Sequence, residues 1–154
     1  MNPTTASVPP RRYYIDTSAY LCMLLGEDGG DRLTADTAGA ELSSSVLLIL
    51  EAKRTLIRLA REGHLSPAEF KTCLQRVDED QQVLVLCDLT LDLCASNLLP
   101  AISTPRSLGL AHLRTAWWLH GNSPLTGFIT LDRAQAEAAR ELGLPIPSLR
   151  QSER

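Results

Sequence analysis

Three acidic residues of this 154-residue chain stand where a parallel sheet would bring carboxylates together. Asp16 follows the β-favouring run 13–15, and Asp132 follows the similar run 128–130. Glu51 comes after four apolar residues, so its carboxylate is costly to bury unless it is paired or bound to a metal. Three converging carboxylates would repel one another without a divalent cation, and their oxygen ligands suit Mg²⁺ or Mn²⁺. A cation held in this way typically activates water and stabilises charge on a phosphoryl group.

Simpler roles account equally well for two of these acids. Asp16 or the neighbouring Ser18 is suited to capping the helix that follows, and Glu51 is spaced for an intrahelical ion pair with Arg54. His112 lies in a mostly apolar segment, which is more typical of a packed core residue than of a catalyst. The chain has no GxxxxGK[ST] loop, no GxGxxG after a strand and no GxSxG turn. The carboxylates are therefore the main candidates for chemistry.

The hydrophobic pattern predicts an alternation of short strands and helices. The segment Ser-Pro-Ala-Glu at 66–69 marks a helix start with a capping box. The uniformly apolar run 83–86 is typical of a strand that is buried on both faces of a parallel sheet. The alternation indicates an α/β sandwich around a mainly parallel sheet. The predicted strands are 13–15, 41–44, 83–86, 127–130 and a short edge strand at 145–146; the predicted helices are 19–25, 31–38, 46–61, 66–80, 90–99, 108–119 and 133–142.

Length and composition predict a single domain at 12–150 after a flexible leader at 1–11. The leader has no apolar core, and no apolar run approaches the roughly 20 residues that span a bilayer, so we expect a cytoplasmic protein without a membrane segment. A net charge of −3 neither indicates nor excludes nucleic-acid binding, because local patches matter more than the sum. The cysteines form no CxxC pair and are expected to be buried thiols: Cys22, Cys73, Cys87 and Cys94.

Four motifs, in order along the chain, match those of one known family. The first, Tyr-Ile-Asp-Thr-Ser-Ala, resembles the opening of PIN-domain ribonucleases, especially the VapC-type toxins of bacterial toxin–antitoxin pairs. The resemblance spans about residues 12–147, and four motifs at fitting separations are more specific than any one of them. The matching segments are 14–19, 42–45 together with 51–54, 107–116, and 128–133 continuing through 138–145.

This resemblance implies a three-layer α/β/α sandwich with a central, mainly parallel sheet. It also implies Mg²⁺- or Mn²⁺-dependent cleavage of RNA, a homodimer, and an antitoxin partner that masks the site. Asp16, Glu51 and Asp132 carry over from the family as catalytic metal ligands. Hydrogen bonds from nearby hydroxyl groups would support these ligands. The hydroxyl residues are Thr17, Ser18 and Thr130.

One position departs from the family pattern. The third motif usually carries an aspartate three residues before its histidine, and this chain has Gly109 there. The alternative function is therefore a catalytically weakened PIN-like domain that binds protein or RNA without cutting it. A phosphatase or nucleotide-binding domain is a weaker option, because no phosphate loop is present. The candidates for binding RNA phosphates are arginines near the motifs: Arg54, Arg106, Arg114 and Arg133. A solvated helix face explains Arg58 and Arg61 at least as well.

Overall fold

The computed structural model describes residues 8–95, 102–103 and 106–147. Within these residues, short strands alternate with helices. The strands are β1 (Arg12–Ile15), β2 (Glu41–Ser45), β3 (Val85–Cys87) and β4 (Gly127–Ile129). The helices are α1 (Thr17–Leu25), α2 (Gly30–Thr37), α3 (Leu47–Arg61), α4 (Pro67–Asp80), α5 (Leu91–Ala95), α6 (Ser107–Asn122) and α7 (Arg133–Glu141).

Local signals account for where several helices begin and end. Asp16 caps α1 through a hydrogen bond from the Ala19 N–H, and Gly26 ends this helix in the left-handed conformation that glycine adopts without strain. At the start of α4, the side chain of Ser66 and that of Glu69 each bond the other residue's backbone N–H. The capping box predicted for α4 is thus confirmed, whereas the cap of α1 is Asp16 and not Ser18.

The four strands form one parallel sheet in the order β3-β2-β1-β4. Strand β1 is internal, and its residue Ile15 is paired with Ile129 of β4. Successive residues of a strand face opposite sides of the sheet. Tyr14 accordingly packs with Phe128 and residues of α6 and α7, while Ile15 packs with residues of α1, α2, α3 and α4. Helices therefore cover both faces, and the predicted three-layer α/β/α sandwich is confirmed.

The third and fifth predicted strands differ from the structure. Strand β3 begins at Val85, two residues later than predicted, and lies at the edge of the sheet with Val85 41% exposed. The prediction of a strand buried on both faces was wrong, because apolar composition does not reveal the strand order. No strand forms at 145–146; the Pro145 carbonyl accepts one backbone hydrogen bond, from Phe128.

Other predictions fall partly outside the described residues. Helix α5 occupies 91–95 of the predicted 90–99, and residues 96–99 are not described. Residues 1–7 of the predicted leader also lie outside, while the Arg11 carbonyl accepts a hydrogen bond from the Glu41 N–H. All four cysteines are free; Cys22 is buried as predicted, whereas Cys73 and Cys87 are only half-buried and Cys94 is exposed. None of the described helices is both long enough and apolar enough to span a bilayer.

Candidate functional site

Asp16 lies at the carboxyl end of β1 and is only 5% exposed. Its Oδ1 accepts hydrogen bonds from the Ser18 hydroxyl at 2.6 Å and from the Ala19 N–H at 3.1 Å. Its Oδ2 accepts one from the hydroxyl of Thr130. Thr130 directly follows β4, whose pairing with β1 brings it to this place. Both carboxylate oxygens are therefore held, one by groups of α1 and the other by the residue that follows β4.

The carboxylate of Asp16 is buried, and no salt bridge in the described part of the chain includes it. Burial raises its pKa, and this effect outweighs the hydrogen bonds from Ser18, Thr130 and Ala19, which lower it. The nearby donors are hydroxyl and amide groups. A bound cation would stabilise the ionised form of this carboxyl group.

Glu51 lies in the second turn of α3, and its side chain is 21% exposed. Its Oε1 accepts a hydrogen bond from the Thr17 hydroxyl at 2.9 Å and lies 2.8 Å from Nε2 of His112. Burial alone would raise the pKa of Glu51, but His112, the Thr17 hydrogen bond and the charge of Arg54 together lower it. Arg54 attracts Glu51 without forming an ion pair with it in the described structure, so the simple intrahelical pairing was not the main interaction.

Asp132 is exposed and caps α7, where its Oδ1 accepts a hydrogen bond from the Gln135 N–H at 3.1 Å. The backbone N–H of Asp132 donates to the Thr130 hydroxyl oxygen at 3.0 Å. The turn after β4 is fixed to the turn after β1 by a further bond, from the Leu131 N–H to the Ser18 hydroxyl oxygen at 2.9 Å. Asp132 thus lies at the same sheet edge as Asp16, connected to it through Thr130.

Two buried residues that sequence reasoning did not assign to the site connect to Glu51. His112, on α6, is 2% exposed, and its Nδ1 lies 2.7 Å from the hydroxyl oxygen of Tyr14. That hydroxyl oxygen accepts a hydrogen bond from the Ser45 N–H at 3.0 Å. Burial raises the pKa of Tyr14 above its ordinary range. The only sequence signal was the position of both residues inside the quoted motifs, since Tyr14 and His112 are 98 positions apart.

Gly109 lies one helical turn before His112 on α6. Its carbonyl oxygen accepts a hydrogen bond from the Gln135 side chain at 2.8 Å, which joins α6 to the first turn of α7. The position expected to carry an aspartate therefore adjoins the helix that Asp132 caps, but it supplies no side-chain ligand.

The four candidate RNA-binding arginines lie in different settings. Arg54 is exposed on α3 beside Glu51, and Arg106 is exposed at the start of α6. Arg133 follows Asp132 with its side chain 93% exposed and pairs with Glu137 at 3.2 Å. Arg114 is half-buried and helps line a cavity of about 760 Å³. Among the described residues that line this cavity, none is one of the three acids.

The donor chemistry of the site fits a hard divalent cation. Asp16 and Asp132 offer carboxylate oxygens at one edge of the sheet, and Glu51 offers them from α3, where it is bonded to Thr17. Mg²⁺ and Mn²⁺ prefer such ligands. Each carboxylate also uses at least one oxygen in a hydrogen bond to the protein. As the side chains stand, no group of three or more His, Cys, Asp or Glu residues in the described part of the chain is arranged to hold a metal. The three acids would hold such an ion only after their side chains move.

No protein-family model matches the sequence, and no curated protein matches it significantly. The resemblance to PIN-domain ribonucleases therefore stays an expectation from the sequence motifs.

Proposed function

We propose that the chain is a Mg²⁺- or Mn²⁺-dependent endoribonuclease of the PIN type, which hydrolyses RNA phosphodiesters as the toxin of a toxin–antitoxin pair. The observation that carries the proposal is the hydrogen-bonded connection among the three acids. Glu51 is bonded to Thr17, the residue next to Asp16, and Asp16 is bonded to Thr130, which in turn accepts the Asp132 N–H. The four sequence motifs are the basis for the proposed family and for RNA as the proposed substrate.

The chain's own residues would hold and orient the reacting groups. Ser18 and Thr130 fix the two oxygens of Asp16, and Thr17 fixes one oxygen of Glu51. Such supporting hydrogen bonds orient carboxylates that bind a metal. When bound, the cation supplies charge that makes water a better nucleophile near neutral pH and offsets the negative charge that develops on a phosphoryl oxygen.

The arginines around these acids would bind the phosphates that flank the scissile bond. Arg54 lies one turn after Glu51, and Arg133 directly follows Asp132. Both side chains are exposed, so an RNA backbone can reach them. Arg106 and Arg114 on α6 would extend this contact. Their contribution is electrostatic and would weaken as the salt concentration rises.

Cleavage of a mixed single-stranded RNA by the purified protein tests the proposal. The reaction is run with Mg²⁺, Mn²⁺ or a chelator, and the wild type is compared with Asp16→Asn. The control is Asp31→Asn, which makes the same change at an exposed aspartate in the first turn of α2. We expect cation-dependent cleavage by the wild type and the control, and at least a 100-fold loss in Asp16→Asn. Folded wild-type protein that leaves RNA intact with either cation would refute the proposal.

Gly109 supports a second candidate function, a PIN-like module that binds RNA or protein without cutting it. The chain lacks a fourth carboxylate at that position, and no three described acids share a common ligand position. A gel-shift assay with the same RNA, together with Gly109→Asp, separates the two functions. Binding without cleavage by the wild type, and cation-dependent cleavage only in Gly109→Asp, would favour the module. Equal cleavage by both proteins would favour the nuclease.

We also propose an antitoxin partner and a homodimer, and both follow from the family resemblance. Light scattering on the purified protein tests the dimer directly. We expect about twice the chain mass of 16.9 kDa. A monomer at micromolar concentration would refute the dimer without affecting the proposed chemistry.

A further inference from the structure

A line of hydrogen bonds runs from the end of β2 to Glu51. It begins at the Ser45 N–H, which donates to the hydroxyl oxygen of Tyr14 at 3.0 Å. It continues to Nδ1 of His112, which is 2.7 Å from the same oxygen, and ends where Nε2 of His112 lies 2.8 Å from Oε1 of Glu51. Ser45, Tyr14 and His112 are buried. Residues of β1, β2, α3 and α6 are thus joined in one line, and Tyr14 and His112 are distant in sequence from each other and from the other two.

The direction of each bond follows from what its atoms can donate. The Tyr14 oxygen accepts from the Ser45 N–H, and Nδ1 of His112 is the only acceptor in hydrogen-bond contact with that hydroxyl among the described residues, so the phenolic proton donates to Nδ1. Burial keeps that proton on the phenol, since it raises the pKa of Tyr14. An imidazole that accepts at Nδ1 carries its proton on Nε2. The Nε2–H of His112 then donates to the Glu51 carboxylate.

The two hydrogen bonds to Glu51 fall on the same oxygen. Thr17 and His112 both donate to Oε1, while Oε2 has no hydrogen-bond partner among the described residues. A glutamate on a helix surface has three side-chain torsions, and fixing them costs conformational entropy. Anchoring Oε1 before a ligand arrives removes part of this cost and leaves Oε2 available.

We propose that Tyr14 holds His112 as the Nε2–H tautomer, and that His112 in turn orients Glu51 to bind a divalent cation. Tyr14 and His112 are thus positioning residues. This inference deepens the proposed function and rests on it for the role of Glu51. The packing supports the assignment. The ring of Tyr14 stacks on that of Phe128 with centroids 5.4 Å apart and planes at 6°, and it meets the His112 ring edge-on. Both rings are therefore held by packing independently of the hydrogen bonds.

The ¹⁵N shifts and couplings of the His112 ring in metal-free protein test the tautomer. Tyr14→Phe removes only the hydroxyl group and keeps the stacked ring. The matched control is Tyr20→Phe, which removes a hydroxyl that donates to Asp80 at 2.9 Å, outside this line. We expect a protonated Nε2 and bare Nδ1 in the wild type and in Tyr20→Phe, and a mixture of tautomers in Tyr14→Phe.

Calorimetric titration with Mn²⁺ on the same proteins tests the positioning role. We expect about a 10-fold loss of affinity in Tyr14→Phe and no change in Tyr20→Phe, since supporting partners of metal ligands typically contribute 10- to 100-fold. His112→Gln retains an N–H donor and should keep more affinity than His112→Leu, which has none. This comparison also covers the case in which Tyr14→Phe does not fold.

The outcomes separate this inference from the proposed function. A proton on Nδ1, or on both ring nitrogens, in the wild type would overturn the inference even if the protein binds Mn²⁺ and cuts RNA. Equal Mn²⁺ affinity in Tyr14→Phe and wild type would overturn the positioning role. A wild type that shows the Nε2–H tautomer but binds no Mn²⁺ would refute the proposed function and, with it, the cation-orienting role of Glu51.

Discussion

Replacing Asp16 by asparagine should stabilise the metal-free protein at neutral pH. Asp16 is 5% exposed, and burial raises the pKa of its carboxyl group despite three hydrogen bonds. Its ionised form therefore opposes folding. Asparagine has nearly the same shape and caps helices about as well as aspartate, so the substitution removes the charge and keeps the cap of α1.

The expected gain follows from the balance of opposing effects at this residue. Burying a carboxylate costs several kcal/mol, and each hydrogen bond to a charged group recovers about 1.5–3 kcal/mol. Because burial still prevails in raising the pKa of Asp16, we expect Asp16→Asn to gain on the order of 1 kcal/mol. For a chain of this length that corresponds to roughly 3 °C in Tm.

The pH dependence of this gain has a definite sign. A carboxyl group whose pKa is raised in the folded state stabilises the fold most below its unfolded pKa, which is about 3.8 for an ordinary aspartate. That stability is lost as the pH rises through the raised value. The difference between Asp16→Asn and the wild type should therefore be largest near pH 7 and shrink as the pH falls towards 4.

Urea unfolding followed by circular dichroism, in the presence of a chelator, measures the effect. The control is Asp132→Asn, since Asp132 also caps a helix but is exposed. We expect the midpoint to rise for Asp16→Asn and the free energy of unfolding to change by less than about 0.5 kcal/mol for Asp132→Asn. If Asp16→Asn is destabilised at pH 7, the hydrogen bonds outweigh burial and the electrostatic reasoning is wrong.

Three further predictions concern the cation and the fold. Millimolar Mn²⁺ should raise the Tm of the wild type but not that of Asp16→Asn, as thermal scans with and without chelator will show; an equal rise in both proteins would locate the ion elsewhere. Ser66→Ala should cost about 1 kcal/mol of unfolding free energy in urea titrations, because it removes the capping box of α4, and an unchanged midpoint would contradict this. Leu56→Ala, at a fully buried position, should cost about 2–5 kcal/mol. Ile57→Ala, at the adjacent position that is 51% exposed, should cost much less, and similar losses for both would contradict the assigned core.

Local interactions explain what could be predicted from the sequence. The helix starts at Ser66 and Asp132 were correctly predicted, because a cap bonds to backbone groups within three residues of itself. The parallel sheet also followed from the sequence, since alternating strands and helices leave few other ways to cover both faces. The placement of Asp16 beside Thr130 required only that the first and last of the four strands be neighbours.

Tertiary structure decided the strand order and the partners of Glu51. An apolar run has the same composition at the centre of a sheet and at its edge, so the sequence could not reveal that β3 is an edge strand. Glu51 is 61 positions from His112, and Tyr14 is 98 positions from it. Packing of α3, α6 and β1 makes these neighbours. Sequence alone thus singled out the three carboxylates. Only the fold determined which buried groups bond to them, because those contacts depend on long-range packing rather than on spacing along the chain.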